Sequence, residues 1–447
     1  LILCYATLST MTITLLSPTD ILHAFETTPV EEEWAFRGCT PSDTGKWTHD
    51  YHRYPAKFIP QLVEKLIAEY VSARDAHVND PFMGCGTTIV TAIASGFHAS
   101  GTDINRLAHL ITRVKATPIE PAYLARKVEA FFEVLQREHA RIEPRVPQRH
   151  IERIRYWFTD TAIHDLGVLL HLIQREEDAV IRDFLLVAFS HILKRCSLWL
   201  QTSTKPTRDV RKPMVPPFHA FRQHVKKMQT GNEAFYHVVP SHVRAALNEY
   251  LNVRVGDARQ QPVPDASVDL IVSSSPYVTS YEYADLHQLS TLWLDLADDL
   301  RAYRKEFIGT AAMVYRPRAL KSVLAQNIVA QLAASSRKMA QEVETFFADM
   351  QEVFDESFRI LKPSGRCCYV IGNTQLKGVD ILNAQVFAES LQHSGFRLDR
   401  VIKREIPSKI LPQKRDKKTG RFARNQSADA EAYPVEYIVI GHKVSEA

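Results

Sequence analysis

The chain has 447 residues, of which 45% are hydrophobic and 24% charged, and its formal net charge is +4. That length fits one large or two to three ordinary domains, the composition supports a sizeable core and excludes global disorder, and the charge is too small by itself to argue for nucleic acid. Six cysteines (Cys4, Cys39, Cys85, Cys196, Cys367 and Cys368) form no C-x-x-C pair, which gives no sign of a zinc site or other metal and suits a reducing cytoplasm.

The chain opens with "LILCYATLSTMTITLLSPTDIL". This stretch has no basic leader, and Ser, Thr and Pro18 interrupt it well short of a membrane span, so no membrane partner is expected. Residues 1–10, ahead of Met11, read as upstream read-through or a non-AUG start. Residues 1–50 show little periodicity and read as a loose lead-in. In "PAKFIPQLVEKLIAEYVS" (55–72), Phe58, Leu62, Leu66, Ile67 and Tyr70 recur at helical spacing. Next, "HVNDPFMGCGTTIVTAIASG" reads as a strand ending at Asp80, a glycine turn, and a helix starting near Thr87; "HASGTDIN" is a second strand ending at Asp103.

Residues 118–249 change character. Amphipathic patterns run over Tyr123 to Ala140, Ile163 to Ile173 and Ile181 to Leu200, followed by a basic, Pro-containing loop at 201–217. This block reads as a mostly helical insertion, with Trp157, Phe158 and Trp199 as core. Strand character returns at 252–257 and 267–277. Helices follow over 284–300 and 323–361, then a strand at 365–373 and a helix at 383–395. "FRLDRVIKREIP" and "VEYIVIGHK" close the chain as an antiparallel pair. Short strands alternating with helices predict an α/β layered sheet, whose ligands bind beyond the carboxyl ends of parallel strands. Asp80, Asp103, Asp257 and Ser274 all fall at such ends.

Gly84 and Gly86 allow a tight turn into a helix whose free N–H groups suit a ligand. The third glycine of the dinucleotide pattern is missing, and so is the G-K-[ST] of a nucleotide P-loop. Asp103, 17 positions beyond Gly86, suits ribose hydroxyls, although a lone "TDIN" also reads as a helix cap. Asp257 in "VGDA" could accept from an adenine amino group or be a turn aspartate. Lys57 or His52 in "HRYPAKF" could meet a carboxylate or simply begin a helix.

Together, "HRYPAKFIPQLVEKLI", "VNDPFMGCGTTIVTAIASG", "GTDIN", "VGDA" and "VDLIVSSSPY" resemble the S-adenosylmethionine-dependent amino-methyltransferases of DNA, which make N4-methylcytosine or N6-methyladenine. The resemblance covers roughly 52–115 and 250–445. It implies a Rossmann-like, mostly parallel seven-stranded sheet with an antiparallel last strand, formed by 51–117 and 250–447, and makes the insertion the candidate target-recognition region. It implies a cofactor, S-adenosyl-L-methionine, held by His52, Tyr54, Lys57, Asp80, Pro81, Phe82, Gly84, Gly86, Thr87, Thr88, Asp103 and Asp257. Its catalytic tetrapeptide corresponds to Ser274, Ser275, Pro276 and Tyr277, with Ser275 where the family usually has proline.

The resemblance implies two acceptors for the target amine, Ser274 Oγ and the Ser275 carbonyl, with Tyr277 as the face on which a flipped base stacks. The first serine favours cytosine N4. Adenine N6, an RNA base, or a weakly catalytic DNA-binding relative are the alternatives. With duplex DNA as substrate, Lys205, Arg208, Arg211 and Lys212 in one loop, and Lys414, Arg415, Lys417, Lys418 and Arg421 in another, become candidate phosphate contacts. A restriction endonuclease acting separately is the implied partner.

Overall fold

In the computed structural model, which describes residues 15–54, 57–203, 205–278, 283–406, 414–415, 430–431 and 435–445 (backbone alone at 414–415 and 430–431), the short apolar runs become strands. These are β1 (His77–Asp80), β2 (His98–Asp103), β3 (Leu251–Val255), β4 (Val268–Ser274), β5 (Leu361–Ile371), β6 (Arg397–Glu405) and β7 (Val435–His442). They form one sheet in the order β3-β2-β1-β4-β5-β7-β6. β1 pairs parallel with β2, and β2 with β3; β7 runs antiparallel to both β5 and β6. The doubly wound α/β architecture with one antiparallel strand therefore stands as read from the sequence. Val268, Leu270, Ile271 and Val272 are all fully buried, which is why β4 reads as a continuous apolar run rather than an alternating one.

The chain divides into two units. One comprises Phe36–Pro262 and Val272–Arg316; the other comprises the described parts of Leu1–Ala35, Val263–Ile271 and Pro317–Ala447. The first holds β1, β2, β3 and the helices α1 (Pro60–Tyr70), α2 (Thr87–Ala94), α3 (Arg106–Lys115), α4 (Pro121–Glu138), α5 (Asp160–Arg175), α6 (Ala179–Ile192) and α7 (Pro217–Val238). Here the insertion is no appendage. Leu107 and Ile111 of α3 share one apolar core with Phe132, Leu169, Phe184 and Phe221 of the inserted helices. Tyr51 packs edge-on against Phe184, Arg113 pairs with Asp183, and Asn232 holds both the N–H and the C=O of Ile119. Trp157, Phe158 and Trp199 are buried, as their spacing predicts.

In the second unit, the stretch read as a loose lead-in is folded over its described part. Ser17 caps a helix, Pro18–Thr27, in a reciprocal capping box with Asp20, and Ile21, Phe25 and Trp34 are buried. Val30 bridges to Lys403 of β6. Residues 1–14 lie outside the described residues. The helix predicted over 323–361 is two, α8 (Val323–Ser335) and α9 (Arg337–Ile360), because Ser336 leaves helical geometry and accepts the Met339 N–H as an N-cap. In the first unit, the helix predicted over 284–300 is likewise broken into Tyr283–Leu286 and Gln288–Trp293, with Asp295 at φ +51 just beyond. Among the described residues, no helix is long and apolar enough to cross a membrane.

Candidate active site

β1 ends at Asp80, and the chain turns immediately through "PFMGCG" into α2. Gly84 sits at φ +48 and Gly86 at φ +79, the left-handed region that favours glycine. A Cβ on Gly84 would meet the Tyr54 ring at 3.3 Å. A Cβ on Gly86 would come within 2.7 Å of Thr112 Cγ2 and 2.8 Å of its Oγ1. Both absences therefore shape the turn. Thr112 Oγ1 donates to the Gly84 carbonyl at 2.9 Å, and the Gly86 N–H donates to Met83 O. Underneath, Lys115 is fully buried, its ammonium donating to the carbonyls of Cys85 and His49, each at 3.1 Å. Burial pulls its pKa down to about 8. Lys57 donates to the same His49 carbonyl at 3.0 Å.

Two carboxylates frame the turn. Asp103, at the end of β2, accepts from the Gly84 N–H at 2.9 Å and the Asn105 N–H at 2.8 Å. Burial raises its pKa to about 6 against those bonds. Asp80 accepts from the Phe82 N–H at 3.0 Å and the Ser273 hydroxyl at 2.7 Å, and burial raises it to about 7. Ser273 thus joins β4 to the start of the glycine turn. Thr88, in the first turn of α2, makes a second link by donating to the Val272 carbonyl at 3.0 Å.

A cleft of about 850 Å³, counting its open mouth, lies over this cradle. It is lined by Tyr54, Lys57, Asp80, Pro81, Phe82, Gly84, Thr87, Asp103, Asp257, Ser274 and Pro276, all named from the sequence. Gly86 and Thr88 shape the turn without lining it. Ser275 is buried, with its Oγ lacking a hydrogen-bond partner among the described residues; Tyr277 is half-buried and outside the cleft lining. Asp257 is chelated by its own neighbour: Arg259 Nε lies 3.0 and 3.1 Å from its two oxygens, and the pair holds its pKa low despite burial. His52 is elsewhere. It is buried with Nε2 2.9 Å from Ser190 Oγ of α6, edge-on to His191, and does not line the cleft.

Sequence reasoning missed Tyr283, which stacks on Tyr54 with ring centroids 6.1 Å apart, and Glu306, Phe307 and Ile308, which line the cleft from beyond the tetrapeptide. Ile104 was within reach, since it follows Asp103 directly. Among the candidate phosphate contacts, Lys205, Arg208 and Arg211 are exposed. Lys212 is not: its ammonium donates to the carbonyls of Lys194, Ser197 and Trp199 at 2.7–2.9 Å, closing the chain beyond the end of α6. The side chains of Lys414 and Arg415, and Lys417, Lys418 and Arg421 altogether, lie outside the described residues.

The donor set suits a ligand with ribose, ammonium and carboxylate groups: a half-buried carboxylate at β2, a second at β1, a lysine, and a turn where Cβ atoms would intrude. The DNA methylase family model matches residues 21–113. The chain is 26% identical to the type II methyltransferase M.MvaI of Kocuria varians, over 85% of this chain and 88% of that one. It is 20% identical to M.BsoBI of Geobacillus stearothermophilus, over 76% and 77%. Together these matches support an S-adenosylmethionine-dependent DNA amino-methyltransferase of the N4-cytosine or N6-adenine type. A solved S-adenosylmethionine-dependent methyltransferase of Methanosarcina mazei covers 88% of this chain and 99% of its own, at 9% identity and a TM-score of 0.30. The amino-methyltransferase assignment rests instead on the sequence relatives and on the strand order with its glycine turn and β4-end serine.

Proposed function

We propose that the protein is a type II modification methyltransferase that methylates the exocyclic N4 of cytosine in duplex DNA. The observation that carries this reading is Ser274 at the end of β4, lining the same cleft as Asp80 and the glycine turn. S-adenosylmethionine supplies a methyl group on a sulfonium sulfur. Asp103 would hold its ribose hydroxyls, Asp80 its ammonium and Lys57 its carboxylate. The target amine is a poor nucleophile because its lone pair is delocalised into the ring. Ser274 Oγ and the Ser275 carbonyl accept its two hydrogens and turn the lone pair out of conjugation, so that positioning does much of the catalytic work. Tyr277, which stands outside the cleft lining, would have to turn towards the cleft to stack on the extruded base, a contact worth about 1–3 kcal/mol.

The reading is tested by labelled methyl transfer to DNA and to RNA, followed by nucleoside analysis. N4-methylcytosine in DNA is the expected product; N6-methyladenine, methylated RNA or no transfer each sinks the assignment. Tyr277→Ala should lower transfer by about 5- to 150-fold while leaving cofactor affinity intact, and full activity in that variant refutes the stacking role.

A further inference from the structure

Resting on the DNA reading above, a second feature of the insertion carries an inference of its own. The short helix Ile151–Trp157 ends on two aromatic rings with opposite fates. Trp157 is buried, stacked on Trp199 with centroids 5.3 Å apart. Tyr156 is 44% exposed, and two guanidinium groups grip it: Arg153 at 5.0 Å from the ring centroid and Arg208 at 4.9 Å. Arg208 Nε also donates to the Tyr156 carbonyl at 2.7 Å.

The surroundings fix this group in place. Trp199 bridges to Arg208, the Leu200 N–H donates to Thr207 O, and the Asp209 N–H donates to Leu198 O, so the described residues of 198–209 fold back as a hairpin. Gln201, Thr202, Lys205, Pro206 and Thr207 form its exposed tip. On the other side, Arg153 and the Trp157 indole N–H both donate to Gln288 Oε1, at 3.2 and 3.3 Å. Gln288 opens the helix Gln288–Trp293, which follows the catalytic tetrapeptide.

An isolated surface arginine is ordinary, but here two are gathered about the same ring. Two like charges are held about one exposed ring, and neither guanidinium pairs with a carboxylate among the described residues. A polyanion would neutralise both charges, and the exposed part of the ring they hold is open to contact with a sugar or base. We propose that Tyr156, with Arg153 and Arg208, is a docking point for the DNA duplex at the root of the 198–209 hairpin, tied through Gln288 to the helix beyond the catalytic serine.

The experiment uses the full chain with S-adenosylhomocysteine and a methylatable duplex, followed by fluorescence anisotropy over a range of salt. Removing one arginine–phosphate pairing lowers the slope of log affinity against log salt by about 0.9, so R153A/R208A should lower it by nearly two and weaken binding at least about tenfold. Y156A should weaken binding severalfold with the slope retained. Cofactor affinity should stay at the wild-type value in both, and the melting temperature should fall by no more than a few degrees, for the lost bonds to the Tyr156 carbonyl and Gln288. R137A, which removes an exposed charge from α4, should change nothing and controls for net charge. Unchanged affinity and slope in R153A/R208A, or an equal loss in R137A, overturns the proposal. Failure of the wild-type protein to bind duplex DNA at all would instead overturn the reading on which it rests.

Discussion

Gly86→Ala tests the cradle most sharply, because two separable costs can be worked out for it. The first is conformational: an L-residue at φ +79 costs about 1–2 kcal/mol. The second is steric. The new Cβ would stand 2.7 Å from Thr112 Cγ2 and 2.8 Å from its Oγ1, so the threonine must rotate. Rotation breaks its bond to the Gly84 carbonyl, at a net cost of about 1 kcal/mol. Gly86→Ala should therefore destabilise by about 2–3 kcal/mol. Thr112→Ala alone should cost about 1 kcal/mol, since it removes only the hydrogen bond. In the double variant that bond is already gone and the clash is relieved, so the total should stay near the Gly86→Ala value. The coupling is then about 1 kcal/mol of non-additivity. Urea unfolding of the four proteins reads the stability terms, and calorimetric titration of the cofactor reads the deformation of the turn. Simple additivity, or a Gly86→Ala cost under about 0.5 kcal/mol, refutes the argument.

Ser274→Ala should lower the methylation rate about 10²-fold or more, the scale on which a single positioned polar group acts, with cofactor affinity retained. Ser275→Ala should leave the rate within a few fold, because its proposed role belongs to the main-chain carbonyl; single-turnover kinetics on DNA compare the two. Acid should unfold the protein early. His49, His52, His224 and His287 are buried and His191 half-buried, all with pKa values pulled down by burial, His224 and His287 to about 4, so below pH 6.5 the unfolded chain binds more protons and stability falls with pH. Asp80 and Asp103, raised by burial, oppose this between about pH 4 and 7, but they are two groups against five. Thermal melts from pH 8 to 5 check the sign, and a midpoint that holds or rises towards pH 5 contradicts it.

The parts of the site legible in the sequence are those made by local chain geometry. A strand, a Gly-x-Gly turn and a helix declare themselves because φ at Gly84 and Gly86 is a local demand, whereas the tetrapeptide at the end of β4 is legible only through the family resemblance. What stayed hidden was set by distant packing. Glu306, Phe307 and Ile308 reach the cleft because Tyr303 is anchored on the Arg106 N–H and Asn105 Oδ1, an anchorage that no spacing announces. Lys212 sits in a charge run and reads as surface, yet the carbonyls beyond α6 needed a donor and it supplies one. His52 reads as a partner for the cofactor, but the insertion packs onto it and Ser190 takes its Nε2. In each case the residue type was informative about chemistry and silent about which neighbour would claim it.

The opening serine of "SSSPY" shows how such a claim can tune the site. Ser273 lies deepest of the three and gives its hydroxyl to Asp80, which works against the burial that raises this carboxyl to about 7. In the proposed function Asp80 holds the cofactor ammonium, and a cation there favours the ionised form. Above pH 7 Asp80 is already ionised and affinity is full. Below pH 7 binding must first displace a proton, so affinity should fall towards tenfold per pH unit. Ser273→Ala removes a hydrogen bond that favours the carboxylate and should move this midpoint upward, weakening binding at pH 7 more than at pH 8.5. Asp80→Asn should bind weakly at every pH and abolish the dependence. Cofactor titrations from pH 5.5 to 8.5 decide it. A flat wild-type profile removes Asp80 from the ammonium, and an unmoved midpoint in Ser273→Ala makes the Ser273–Asp80 bond a strand fastener with no part in tuning the pocket.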